Sequence, residues 1–381
     1  MRILVNEIKK IFNWRMLLLL AFVNFVLYFL LIDFHITHFP NGRPALDSYR
    51  IGAEMIETYG IKMDETDLAH FKRTYDAQID EANRYLQARE EFVNAGMDTY
   101  EKFRNYDQQN EQLSVLHAKI MFEEKVDLFW ELQERERLID FQNNKEAILE
   151  TRRNDAENES QRARFEQMME AGHYQVYPEI TFENYKSFIR NAAIVILVSV
   201  VLVMSPIMIH DRSALMLDLQ YTTKKGRAIY KTKIAAGLIS TWLLITALLT
   251  IYFAIYSFND TSMFFPVPVH MFINPDYYWY DPTFFQYIVI HVAAIYVIGF
   301  IFMFIAVIFS TLMPNYVSLI GIQIPFVIGM IAFGLPNMLD RIIDIRFPQW
   351  AMPALYSLLA AASIGLAVMT WKREKRRDIV M

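Results

Sequence analysis

The sequence contains no familiar spacing of catalytic or metal-binding residues. It has no G-x-x-x-x-G-K-[ST] loop to hold phosphates, no H-E-x-x-H or Cys/His metal spacing, and no G-x-S-x-G turn. It also has no cysteine, which excludes disulfide bonds and a thiol nucleophile. The motifs of the chain therefore do not predict an enzyme.

Four histidines remain as candidates for chemistry. His35 and His38 could bind a metal ion, but no carboxylate cluster follows them, so a partly solvated linker is the preferred interpretation. His210 ends the second apolar segment and His291 lies within the fourth. An ionisable group inside a membrane span suggests a functional role such as proton relay, whereas a neutral histidine bonded to a carbonyl would be structural.

A short basic stretch lies between two long apolar segments. Residues 221–233, YTTKKGRAIYKTK, carry five positive charges and no negative one. Charges of this kind can orient a membrane protein by attraction to anionic lipid. Orientation alone does not explain the leucine-rich SALMLDLQYT before them, which can form a short amphipathic helix with Leu215, Met216, Leu217 and Leu219. Nor does it explain the break at Thr222, Thr223 and Gly226 that follows this helix.

Six apolar segments surround these residues. The chain has 381 residues, of which 54% are hydrophobic, and its mean hydropathy is +0.17. The segments are 16–33, 187–210, 234–258, 284–313, 316–335 and 351–371, and apart from Asp33 and Arg190 they contain no Asp, Glu, Lys or Arg. A soluble helix needs a polar face, which these lack, so the sequence predicts an all-α polytopic membrane protein with six transmembrane helices.

The distribution of Lys and Arg predicts the orientation of these spans. Most basic residues outside residues 34–186 lie in the segments 1–15, 211–233 and 372–381, which share one side if six spans alternate. The opposite connections, 259–283 and 336–350, are poor in lysine and rich in aromatic residues. The positive-inside rule then predicts a protein of the bacterial plasma membrane with both termini on the cytoplasmic side.

Residues 34–186 have a different character. They contain 31 acidic and 19 basic residues and show helical periodicity. One predicted helix starts at Asp64 or Thr66 and stops at Gly96, and another ends at Gly172. We predict an extracellular domain of several long antiparallel helices inserted between the first and second spans.

Polar and helix-breaking residues within the spans are candidates for a translocation path or for hinges. Such residues can also serve only to pack helices against one another, and a proline kinks a helix without proving motion. The candidates are Asn24, Pro206, His291, Gln323 and Pro325.

The order of helix, break and basic helix after the second span resembles the permease subunits of type-2 ABC exporters. Asp211, Leu217, Thr222, Thr223, Arg227 and Lys233 stand at the matching places, although the acidic position is usually Glu and a Gly usually follows it. The N-terminus is similar to the family's cytoplasmic elbow helix, 1–15, with Glu7, Lys10 and Trp14. The resemblance covers the membrane portion and leaves out residues 34–186, although one branch of the family has a large external insert there.

The resemblance implies a specific set of partners. Two copies of a separate ABC ATPase would bind ATP and magnesium, so this chain itself would hold no cofactor, and a second permease subunit, identical or different, would complete the membrane dimer. The segment 211–233 would dock on the ATPase, with Asp211, Leu215, Leu217, Leu219, Thr222, Thr223, Arg227 and Lys233 as its coupling residues. The cargo would be amphipathic or lipid-like, such as a peptide, an antibiotic or a lipid-linked molecule, and no nucleic acid is implied.

Two other classes of function are compatible with the same sequence. In the first, the six spans anchor the helical domain, which binds a partner or a toxin. In the second, the protein is a proton-coupled carrier, a class that is disfavoured because no carboxylate lies within the core of any span.

Overall fold

The computed structural model describes residues 2–214, 216 and 226–376, and of Arg227 the backbone only. Within these residues six helices are long and apolar enough to cross a membrane. We number them span 1 to span 6: Trp14–Ile32, Ile180–Ser213, Ile229–Asn259, Phe284–Leu312, Tyr316–Asp340 and Ala351–Arg376. The prediction of a helical, multi-pass membrane protein with six apolar spans is confirmed.

The N-terminal helix is separate from span 1. It covers Arg2–Ile11, and the chain turns at Asn13, whose side chain accepts a hydrogen bond from the backbone N of Met16 at 3.0 Å. This cap starts a new helix at Trp14. Trp14 therefore belongs to span 1, and the predicted elbow helix 1–15 is too long at its C-terminal end.

The spans differ in how much they are covered by the rest of the protein. The most apolar windows of spans 2 and 4 are 67% and 56% buried, whereas those of spans 1, 5 and 6 are 6%, 11% and 17% buried. Spans 2 and 4 therefore form the centre of the bundle. The outer three present apolar faces that lipid or another membrane protein can cover.

Residues 34–179, which we call the insert, form eight α-helices and one π-helical segment, Lys119–Glu123, between spans 1 and 2. Asp64, one of the two predicted helix starts, caps one of them with a capping box, and Gly172 ends another, as predicted, with the left-handed φ of 65° that glycine adopts without strain. The helix predicted to reach Gly96 stops at Gln87 instead. The helices are Phe34–Thr37, Ala45–Tyr59, Glu65–Gln87, Glu90–Asn94, Tyr100–Arg104, Glu111–Ala118, Asp127–Asn154 and Glu159–Ala171.

The insert is packed firmly on the ends of the spans. Ile51, Phe71 and Leu138 of the insert share one hydrophobic core with Phe182 and Tyr185 of span 2. A second core lies wholly within the insert and includes Phe92, Phe103, Ile120, Phe129 and Trp130. The insert therefore has a lobe joined to the spans and a lobe with a core of its own.

Ion pairs join the insert and the loops at this end of the bundle. Arg164 of the insert contacts Asp281, which precedes span 4, at 2.6 Å. Asp276 contacts Lys186 of span 2 at 2.8 Å and Arg346, which precedes span 6, at 2.6 Å. The insert and the two loops after spans 3 and 5 consequently lie at the same end of the bundle.

Because the chain has no cysteine, its topology can be tested by labelling single introduced cysteines. Lys9→Cys and Lys372→Cys lie at one end, and Gln109→Cys and Gln349→Cys lie at the other, all at exposed positions. A membrane-impermeant maleimide added to intact cells is expected to label only one of these two pairs. Labelling of one member of each pair would contradict six alternating spans.

Candidate functional site

Four charged side chains meet at the end of the bundle opposite the insert. The Lys233 Nζ lies 2.8 Å from the Glu7 Oε2 and 2.6 Å from the Asp211 Oδ2. The Lys10 Nζ lies 2.9 Å from the Glu7 Oε1 and 3.3 Å from the Asp211 Oδ2. We call Glu7, Lys10, Asp211 and Lys233 the four-charge cluster.

Three separate parts of the chain contribute to the four-charge cluster. Glu7 and Lys10 share one face of the N-terminal helix, Asp211 lies near the end of span 2, and Lys233 lies one turn into span 3. The side chains of Glu7, Asp211 and Lys233 are 5%, 3% and 1% exposed. Two positive and two negative charges balance, which is what allows ionised groups to be buried at all.

The Lys233 ammonium has all its donors satisfied. In addition to the two carboxylates, it donates to the backbone carbonyl of Ile207 at 3.0 Å. An ammonium has three N–H donors, and three acceptors surround it here. Lys233 therefore connects span 3 to the N-terminal helix and to two residues of span 2, Ile207 and Asp211.

Lys10 closes the four-charge cluster toward solvent, and its side chain is 42% exposed. Burial lowers the pKa of this lysine, but hydrogen bonding to Glu7 and the charge of Asp211 outweigh burial and raise that pKa above its ordinary value. Lys10 therefore stays charged at neutral pH and keeps the four-charge cluster neutral overall.

A break in span 2 positions Asp211. Pro206 has no N–H and interrupts the helix after Ser205. The backbone N–H groups of Met208 and Ile209 instead donate to the Ser310 Oγ of span 4, at 3.1 and 3.2 Å. Pro206 was predicted as a kink, and the compensating hydroxyl on span 4 is what holds the kinked end in place.

Arg212, next to the four-charge cluster, was not singled out from the sequence. Its guanidinium donates to the carbonyls of Thr311 and Met313, both at 2.6 Å, where span 4 ends. Cations stabilise helix C-termini because the last carbonyls lack partners. A cavity of about 890 Å³ opens beside it and is lined by Arg212, Lys372, Arg373, Glu374 and Arg376, among others.

Most of the predicted docking residues lie outside the described residues. These are Leu215, Leu217, Leu219, Thr222 and Thr223, and the side chain of Arg227 is likewise not described. The two ends of the docking segment 211–233, Asp211 and Lys233, are described and touch each other. The N-terminal helix residues Glu7 and Lys10 join them, whereas Trp14 is exposed at the start of span 1.

The predicted path or hinge residues do not share one location. The Asn24 side chain of span 1 donates to Ser199 at 2.9 Å and accepts from Tyr252 at 2.7 Å, which joins spans 1, 2 and 3. The His291 Nδ1 lies 2.9 Å from the Tyr287 carbonyl, and its Nε2 lies 3.2 Å from the Leu339 carbonyl. These contacts are those of helix packing.

Gln323 and Pro206 line an apolar groove of about 580 Å³ between spans 1, 2 and 5. The Gln323 Oε1 accepts from Ser205 at 2.8 Å, while its buried Nε2 has no hydrogen-bond partner among the described residues. Apart from Ser205, Gln323 and the edge residue Tyr316, the lining is aliphatic or proline. Pro325 lies on span 5 but does not line the groove, and its side chain is exposed.

No family model, no curated protein and no solved structure matches this chain. Only the residues of the chain itself therefore bear on its function.

The four-charge cluster predicts a large effect of removing Lys233. We expect Lys233→Met to cost about 3–5 kcal/mol of stability, because two buried carboxylates would lose the ammonium that contacts both of them. Lys231→Met is the matched control: this exposed lysine lies over the Trp371 ring at 4.3 Å, a contact worth about 0.5–1 kcal/mol. Thermal unfolding of the detergent-purified protein measures both.

Adding Asp211→Leu to Lys233→Met gives the sharper comparison. The double variant leaves Glu7 paired with Lys10, so we expect it to unfold at a higher temperature than Lys233→Met alone. Equal losses for Lys233→Met and Lys231→Met, or a double variant less stable than Lys233→Met, would contradict the cluster's role.

Proposed function

We propose that this chain is the membrane-spanning permease subunit of an ATP-driven exporter of the type-2 ABC class. In this proposal the segment 211–233 docks on a separate ATPase subunit that binds ATP and magnesium. The observation that carries the proposal is the four-charge cluster, because it joins both ends of the docking segment to the N-terminal helix.

This geometry suits the transmission of force. A displacement of the segment 211–233 would act on Asp211 in span 2 and on Lys233 in span 3 together. Glu7 would carry the same displacement to the helix that precedes span 1. Spans 2 and 3 and the N-terminal helix would therefore move as one unit, as coupling to a closing ATPase dimer requires.

The distribution of positive charges supports the orientation in the membrane that the proposal requires. The described end that holds the four-charge cluster also has Lys9, Arg15, Arg212 and Lys372, which the positive-inside rule assigns to the cytoplasm. ATP is cytoplasmic, so the docking segment would be on the correct side. The insert would then be extracellular, and the protein would lie in the plasma membrane of a bacterium.

The groove between spans 1, 2 and 5 supports an amphipathic or lipid-like cargo. Its lining is almost entirely aliphatic, and Ser205 and Gln323 offer a few polar groups. The weakly covered outer faces of spans 1 and 5 would also accept a second permease subunit, identical or different.

One observation favours a second candidate function, a membrane-anchored interaction protein. The lobe of the insert with its own core exposes the apolar side chains of Val93, Val115 and Phe122, at 45%, 60% and 61%. Exposed apolar residues of this kind are typical of protein-binding surfaces when they are contiguous. This candidate requires no ATPase.

The two candidates are separated by purifying the full-length chain from its native membranes and assaying ATP hydrolysis. We expect hydrolysis to co-purify, with an ATPase subunit that contains a G-x-x-x-x-G-K-[ST] loop identified by mass spectrometry. The double variant Arg227→Glu, Leu217→Asp is expected to reduce both the ATP hydrolysis and the amount of bound ATPase at least tenfold. It reverses a positive charge of the docking segment and replaces an apolar side chain by a charged one.

Lys9→Glu serves as the matched control. It reverses an exposed charge at the same end of the bundle but outside the docking segment, and it should leave the bound ATPase unchanged. An ATPase that remains bound at wild-type level in the Arg227→Glu, Leu217→Asp variant would refute the docking segment. A purified protein with no ATPase would favour the interaction protein.

A further inference from the structure

Two histidines and an aspartate meet at the end of the bundle that holds the insert. The His270 Nδ1 lies 2.9 Å from the Asp281 Oδ1, and the His173 Nδ1 lies 3.3 Å from the Asp281 Oδ2. The two imidazole rings are stacked with centroids 4.5 Å apart, and the three ligand atoms all lie within 4.8 Å of one another.

The distances of these contacts are those of ion pairs, but their geometry is not that of hydrogen bonds. The Nδ1 atoms of both histidines are buried and have no hydrogen-bond partner in the part of the chain that the structure describes, despite their closeness to Asp281. Only 6% of His270 is exposed. A buried polar nitrogen without a partner is costly, and such atoms call for a ligand.

We propose that His173, His270 and Asp281 form a binding site for a divalent transition metal ion such as zinc. Imidazole nitrogen and carboxylate oxygen are zinc ligands at about 2.0–2.2 Å, which places neighbouring ligand atoms of a tetrahedral site about 3.3 Å apart. The 3.3 Å separation between the His173 Nδ1 and the Asp281 Oδ2 matches this spacing, and the His270 Nδ1 lies 2.9 Å from the other oxygen of the same carboxylate. Imidazole ligands select such ions over magnesium or calcium.

The surroundings hold the three side chains in position. Arg164 donates to the Asp281 Oδ1 at 2.6 Å and to the Tyr278 carbonyl at 2.9 Å, and so orients the carboxylate as hydrogen bonds to metal ligands commonly do. The backbone around His270 is pinned to that around Asp281, because Val269 N donates to the Pro282 carbonyl at 2.9 Å. Asp281 thus presents its Oδ2 to the ion.

His173 is the adjustable ligand. It follows Gly172 at the end of the helix Glu159–Ala171, and its side chain is 36% exposed. Solvent can therefore reach the site and supply the fourth ligand as water. His173 belongs to the insert, while His270 and Asp281 belong to the loop between spans 3 and 4. The ion would therefore link the insert to the loop between spans 3 and 4.

The proposed metal site does not depend on the proposed transport function. The metal site lies at the opposite end of the bundle from the four-charge cluster, and its ligands need no ATPase. The site could not be recognised from the sequence, since its three residues are too far apart in the chain to form a motif.

The test is metal titration of the untagged, full-length protein in detergent after treatment with a chelator. We expect one zinc ion per chain by calorimetry, a cobalt complex with the intense visible absorption of tetrahedral coordination, and a higher melting temperature with zinc. Asp281→Asn and His173→Gln should each weaken zinc binding at least tenfold and abolish the thermal shift.

His70→Gln is the matched control, since it removes an exposed histidine of the same insert that is outside this cluster. It should bind zinc as the wild type does. Because the His173 side chain is partly exposed, the metal-free His173→Gln variant should melt at the temperature of the metal-free wild type, so lost binding cannot be attributed to unfolding. Absence of zinc binding in the wild type, or retention of wild-type affinity in His173→Gln, would overturn the proposal.

Discussion

The buried ammonium of Lys233 imposes a constraint on one whole end of the protein. A charge that is almost fully removed from water is tolerated only if opposite charges and hydrogen-bond acceptors surround it. Glu7 meets this requirement from the N-terminal helix, and Asp211 and the Ile207 carbonyl meet it from the end of span 2. The N-terminal helix, the end of span 2 and the start of span 3 are therefore held at one point.

Other features at this end are consequences of bringing Asp211 to that point. Span 2 breaks at Pro206, and the donors released by the break are satisfied by Ser310 of span 4. Arg212 then reaches the last carbonyls of span 4, so the kinked end is fixed from two directions. In the proposed coupling, a push on the segment 211–233 would reach spans 2 and 3 and the N-terminal helix through the four-charge cluster, and span 4 through Ser310 and Arg212.

The opposite end is organised by a different principle. There the insert and the two loops are joined by ion pairs around Asp276 and Asp281, most of whose side chains are largely buried, and by a hydrophobic core shared with span 2. The attraction within a buried ion pair is offset by the cost of removing its charges from water. The shared core, which removes apolar side chains from water, therefore has the larger part in holding the insert on the spans.

The sequence alone determined the class of the fold. Long charge-free segments have no polar face for water, so six spans could be counted without a structure, and Asp64 and Gly172 marked helix ends because capping is a local interaction. Glu7, Lys10, Asp211 and Lys233 were also selected from the sequence, but as members of two separate motifs.

Only the tertiary structure decided that these four residues form one cluster, in which Glu7, Asp211 and Lys233 are buried. It also brought His173, far along the chain, to His270 and Asp281. Neither outcome could be predicted because pairing over such separations depends on how helices pack, which local sequence does not encode. The start of span 1, by contrast, was predicted two residues too late, at Met16, because a local interaction, the side-chain cap of Asn13, starts the helix at Trp14.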